Sequence, residues 1–246
     1  MTAWVALMMA VAAGRAPALP VVTFAHNGIL ELYCAQVSPA KPDPAVVAEI
    51  DARVDDFQAA WAKDGPRRMA QTVALAGRPY PFRDSLATLS GCPDFPTTTI
   101  PLVVNVVRFT RAYGASAAPA ARTAIISSQA PSGPRTVRPM SDFVHDAWYA
   151  LTMQYVRAIR RAAPEGTTPL LRKYAGESRI TQRNLHVAAL DELVSDRLGE
   201  RAEFDRRVAE LRSRNATDLV RAFDIVHQEG AEKFVAELRR PSSLKP

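Results

Sequence analysis

The chain has little of what most often reveals a chemistry. It carries two cysteines and four histidines in 246 residues. Two cysteines cannot build a four-thiolate metal centre or a disulfide-dense scaffold. There is no G-x-G-x-x-G, no P-loop and no G-x-S-x-G elbow, so dinucleotide, nucleotide and serine-hydrolase chemistry have no motif behind them. Ser127, Ser128 and Ser132 sit in an Ala- and Pro-rich stretch without such a pattern. After the first eighteen residues no run approaches the roughly 20 apolar residues that cross a bilayer, so no integral membrane segment is expected. Charge of one sign is not concentrated either. The formal net charge is +6, but Arg and acids alternate, and only "RRMAQ", "RAIRRAA" and "ELRRP" are locally basic. A nucleic-acid surface gathers its charge in a stripe with aromatics, so no nucleic-acid partner is expected.

What is present suits one domain with its own core. The first residues, "MTAWVALMMAVAAGRAPALP", hold an apolar run from Ala3 to Ala13 and then Ala16-Pro17-Ala18. That is the form of a signal-peptide core and an A-x-A cleavage site, although no Lys or Arg precedes the run. The expectation is a signal peptide over 1–18, an exported (periplasmic or extracellular) protein, and a single domain over 19–246. In an oxidising compartment Cys34 and Cys92 can form one disulfide; their spacing alone leaves pairing open.

Along the chain, "VVTFAHNGILELYCAQV" alternates around His26-Asn27-Gly28, which predicts a β-hairpin of Val21–Ala25 with Ile29–Val37. Helical spacing covers 45–63 and is predicted to stop at Asp64-Gly65-Pro66. A second short element is expected over 67–81, a Pro-broken loop after it, and a strand from Ile100 to Phe109. Residues 114–139 read as a long flexible loop. From 140 onward the pattern is helical: a helix to about 162 capped by Ser141 or Asp142, a short helix at "PLLRKYAGES", an amphipathic helix over "ITQRNLHVAALDELVSDRLG", and two further helical stretches. Strands first and helices later predict an α+β fold, a small N-terminal sheet followed by a mainly helical C-terminal half.

The chemistry concentrates at "VHDAWY". In a zinc-peptidase helix, H-E-x-x-H sets two histidines one turn apart and a glutamate that deprotonates the attacking water. Here His145 is followed by Asp146, one methylene short for a general base, and Tyr149 holds the second-histidine position. Tyrosine ligates only as phenolate, with an ordinary pKa of about 10. An ordinary packed histidine on a helix is the plain alternative. His26, in the expected turn, and His227, near the C-terminus, read as structural or exposed. Asp142 reads as a cap and Asp191 as a solvated acid.

In their order, "FQAAWAKDG", "ATLSGCPDFPTTTIPLVVNVVRF", "DFVHDAWYALTMQYV", "TPLLRKYAGESRITQRNLHVAALDELV" and "RAFDIVHQEGAEKFVAEL" resemble a family of uncharacterised exported bacterial proteins that look like zinc-dependent peptidases. The family's helix reads H-E-x-L-H and its later segment about N-H-L-H-L-x-A-L. By resemblance, His145 matches the first histidine, Asp146 stands for the glutamate, Tyr149 for the second histidine, His186 for the last histidine of the later segment, and Asn184 for that histidine's partner. The resemblance implies a zincin-like scaffold with a degenerate site: an inactive H-D-x-x-Y protein that binds a peptide or protein. Two other readings stand beside it. One is an active hydrolase with zinc held by His145, Tyr149, His186 and Glu177 and with Asp146 as base. The other is a helical interaction module with neither metal nor catalysis.

Overall fold

The structure is a computed structural model that describes residues 19–37, 41–93, 98–99, 102–115, 136–161 and 168–239. The expected signal peptide and most of the expected loop at 114–139 lie outside the described residues.

The fold is α+β. Strand β1 (Val21–His26) pairs in parallel with β2 (Asp84–Ser90), Val22 opposite Ser85 and Phe24 opposite Ala87. Strand β4 (Leu102–Asn105) lies parallel to β2 on its other side, and the two-residue β3 (Thr98–Thr99) runs antiparallel to β4. The expected hairpin is therefore absent. Asn27 does not turn the chain between strands; its side chain accepts from the Ile29 amide and starts helix α1 (Gly28–Val37). Asn serves both turns and helix N-termini, and the alternation of 29–37 hid a helical spacing. Glu31 and Cys34, three residues apart, are buried while Ile29, Leu32 and Tyr33 face outward. Cys34 is joined to Cys92 by a disulfide, which fixes α1 to the segment after β2.

Between β1 and β2 the chain crosses over through α1, α2 (Pro44–Ala52) and α3 (Val54–Ala76). Asp43 caps α2, accepting from the Ala45 amide, with Pro44 in the first turn. Helix α3 runs straight through the expected stop, with Pro66 inside it. Gly65 is needed there for contact: a Cβ on it would lie 2.3 Å from Cδ2 of Trp61, a residue only 3% exposed. The helix ends at Gly77, at φ 65°, a left-handed position that glycine fills without steric cost. Strand β2, where a loop was expected, buries Ser85, Ala87 and Leu89 on alternate positions. The expected strand from Ile100 stops at Asn105; Val107–Phe109 is a turn of 3-10 helix, followed by the short α4 (Arg111–Ala115).

Helices α3 and α5 (Met140–Arg161) cover one face of the sheet. Phe24 sits edge-on to Trp61 and Phe143, with Phe57 and Phe109 against Phe143. After the short α6 (Pro169–Lys173) come α7 (Arg179–Leu198), α8 (Arg201–Ser213), α9 (Thr217–Glu229) and α10 (Ala231–Arg239). Helix α7 is the hub, packing on α3, α5, α8, α9 and α10. Ala188 and Ala189 keep it thin enough for close approach, and it is buried nearly all round rather than on the single face its apolar spacing suggests. No helix among the described residues is long and apolar enough to cross a membrane.

Candidate functional site

His145 lies in the second turn of α5. Its Nε2 is 3.0 Å from Oδ2 of Asp191 on α7, and both side chains are buried. A carboxylate only accepts, so Nε2 carries the ring proton. Asp191 is therefore not the solvated acid expected from sequence. Its other oxygen meets Ser195 at 3.3 Å and the Arg207 guanidinium of α8 at 3.7 Å. Burial pushes the Asp191 carboxyl up, but the His145 ring, Arg207 and Arg68 outweigh it and hold the group below the ordinary carboxylate range.

One turn along, Tyr149 donates its hydroxyl hydrogen to Oδ1 of Asn184 at 2.8 Å. Asn184 in turn donates to the Ile180 carbonyl. Burial, and after it the Asp191 charge, raises the Tyr149 phenol well above its usual value, so it stays a donor and not a phenolate. Asp146 is held by Arg138 at 2.7 Å. Burial opposes its charge, yet the His145 ring and Arg138 keep its carboxyl below the ordinary range. Asp142, expected as a cap, is instead buried in the first turn of α5 between Arg138 and Arg206.

His186 belongs to a different environment. It lies two residues beyond Asn184, a rotation of about 200° around a helix, and faces α10. There Nε2 is 3.2 Å from Oε2 of Glu237, with Phe234 edge-on to the ring. Burial, joined by Arg160 and opposed by Glu237, keeps this imidazole below its usual pKa. Glu177, in the turn before α7, is taken by Arg221 through Nε at 3.0 Å and Nη2 at 2.6 Å. Of the other histidines, His227 is exposed on α9, whereas His26 at the end of β1 is half-buried as a residue, its ring enclosed between Asp51, at 2.5 Å, and Glu31, at 3.2 Å.

The expected ligand set is thus divided. His145 and Tyr149 border a cleft of about 160 Å³ between α5, α7, α8 and α9; His186 and Glu177 are not in its lining. The residues present do not fit zinc. The phenol is held as a donor by Asn184, and His186 and Glu177 are engaged elsewhere. With Nε2 bonded to Asp191, only Nδ1 of His145 is left as a neutral nitrogen ligand, too few for a zinc shell. Among the described residues no group of three or more His, Cys, Asp or Glu side chains is placed to hold a metal ion. Asp191, Asn184 and Arg207 form the rest of the site. The spacing of Asn184 and Asp191, seven residues and two helical turns, was the sequence signal for a shared face toward α5. Arg207 gave no signal of its own.

The lining of the cleft contains acids, arginines, His145, Tyr149 and an apolar wall, and no serine, threonine or cysteine among its described residues. The arrangement can orient a histidine and balance charge; among its described residues it offers no serine, threonine or cysteine nucleophile. No protein-family model matches the chain, and no curated protein and no solved structure matches it.

Proposed function

We propose that this is an exported, non-catalytic binding protein on a zinc-peptidase-like scaffold, whose metal position is closed by a side-chain hydrogen bond. The observation that carries this reading is the Tyr149–Asn184 bond. These are two positions where the resembled family has histidines, and here they meet across the α5–α7 seam. A pair of groups that would converge on a cation has become a neutral donor–acceptor pair. Asp146 fits the same account, since a carboxylate committed to Arg138 is a poor base for a water. The Cys34–Cys92 disulfide supports the export half of the reading, because disulfides persist in oxidising compartments.

Native mass spectrometry of protein recovered from its host tests both halves. The expected species begins near Leu19 and carries no zinc after zinc supplementation, and the same material cleaves no peptide library in an EDTA-sensitive way. A one-to-one zinc adduct with EDTA-sensitive cleavage would establish the active-hydrolase reading instead.

A further inference from the structure

The cleft has an imbalance in its hydrogen-bonding groups. Its three carboxylates all have basic partners: Asp146 has Arg138, Asp191 has His145 and Arg207, and Glu210 has Arg214. What remains unsatisfied beside it is nitrogen. Nδ1 of His145 and Nε of Arg207 are buried without a hydrogen-bond partner, on side chains only 7% and 8% exposed as residues. Nδ1 lies 3.7 Å from Asp146, too far for a hydrogen bond. Both residues flank Asp191 and both line the cleft.

These two nitrogens define a ligand. Arg Nε only donates, so it requires an acceptor oxygen. Nδ1 accepts in the neutral ring and donates in the imidazolium. A carboxyl group answers both states, as an acid donating to the neutral ring or as a carboxylate accepting from the charged one, with its second oxygen free for Arg207. An ammonium group answers Arg207 in neither state, and a sulfonate has no proton to give the neutral ring. The wall formed by Val208, Leu211, Leu219 and Phe223 is apolar. The volume is about 160 Å³, close to the ~150 Å³ apolar cavity that takes a benzene ring. Arg138 and Arg214 line the cleft, and beyond the effect of burial Arg108 and Arg138 depress the Arg214 guanidinium; neighbouring cations of this kind draw anions.

We propose that the cleft binds a small carboxylic acid with a compact apolar body, its carboxyl at His145 and Arg207 and its body against Leu219 and Phe223. This rests on the reading above that no metal occupies the cleft.

Isothermal titration calorimetry of the mature protein in EDTA tests it with benzoate, benzylamine and benzenesulfonate. Benzoate is expected to bind one-to-one and at least about tenfold more tightly than either control. Arg207→Lys keeps the charge beside Asp191 but removes Nε, and should weaken benzoate about tenfold or more. Since that variant can fold poorly, Leu219→Trp provides a second route: it fills the apolar wall without touching the ion pairs and should abolish binding at an unchanged melting temperature. Benzoate binding undiminished in folded Leu219→Trp, or equal affinity for benzylamine, overturns the proposal. Acetyl-Gly-Phe and its C-terminal amide separate two sources of the same chemistry. Tighter binding of the free peptide over its amide and over benzoate assigns a peptide C-terminus, and tighter benzoate assigns a free acid; both uphold the carboxyl. Absence of benzoate binding both in EDTA and in a parallel EDTA-free titration with added zinc overturns this inference alone. Binding that appears only with zinc overturns the non-metal reading beneath it as well.

Discussion

Tyr149 and Asn184 are 35 residues apart in sequence, and the tyrosine hydroxyl donates to the asparagine carbonyl at 2.8 Å. Each is buried or partly buried where α5 meets α7. On the proposed reading, the bond occupies the place where two imidazoles of the resembled family would converge.

The first prediction follows directly. Tyr149→His with Asn184→His, beside the native His145, should create micromolar or tighter zinc binding by titration, of the order expected from three neutral nitrogen ligands. Either single change should bind at least about tenfold more weakly. Pairing Tyr149→His with the native His186 is expected to gain nothing, since His186 faces α10.

Asp191→Asn should be costly. It keeps one acceptor oxygen but removes the charge that Arg207 and the His145 ring share and turns the other oxygen into a donor, and removing one partner of a buried ion pair typically costs about 3 kcal/mol or more. Urea unfolding at neutral pH should show that loss. The folded carboxyl lies below its unfolded value, so its contribution is complete above the unfolded value near pH ~3.9 and fades as pH falls below it. The gap between variant and wild type should therefore narrow in acid.

His26 gives the opposite sign. Burial works against its charge, but the carboxylates of Asp51 and Glu31 raise its pKa above the ordinary value. A raised histidine stabilises fully below the unfolded value of about 6.5 and loses that effect as pH rises through the folded one. His26→Gln should therefore lower the melting temperature most at about pH 5.5 and least at about pH 9, with the reference value near 6.5. A deficit that grows toward alkaline pH would refute the linkage.

Gly65→Ala tests packing against propensity. In an open helix the change stabilises by up to about 1 kcal/mol. Here the new methyl meets Trp61 at 2.3 Å, so a loss of about 1–3 kcal/mol is expected, with a red shift in tryptophan emission as the ring is displaced.

The C-terminal half was legible because its helices announce themselves by long-range periodicity and strong ends, such as Ser178 before α7 and Gly199 after it. The N-terminal half was not. Asn27-Gly28 serves both a hairpin and a helix start, and only the tertiary position of Glu31 and Cys34 decides between them. Strand β2 is short and rich in Ser and Thr, so its alternation lacks bulk. Gly65-Pro66 reads as a stop because local preference is visible in sequence, while the Trp61 contact that holds α3 together is not. In the site, helix spacing correctly joins His145 to Tyr149, and the two-residue offset from Asn184 to His186 turns the last histidine out of reach.

The placement of Asp191 has a dynamic consequence. One carboxylate is shared by His145 of α5, Ser195 of α7 itself and Arg207 of α8. None of these helices can swing away without stranding a charge in the interior. Backbone amides of the three should therefore exchange with solvent in a single cooperative opening, whereas the exposed face of α1 around Leu32 and Tyr33 should exchange earlier, although Cys34 stays tied to Cys92. The cleft therefore sits in a frame that yields as one piece, and a ligand enters it by side-chain rearrangement without any one of the three helices leaving its place.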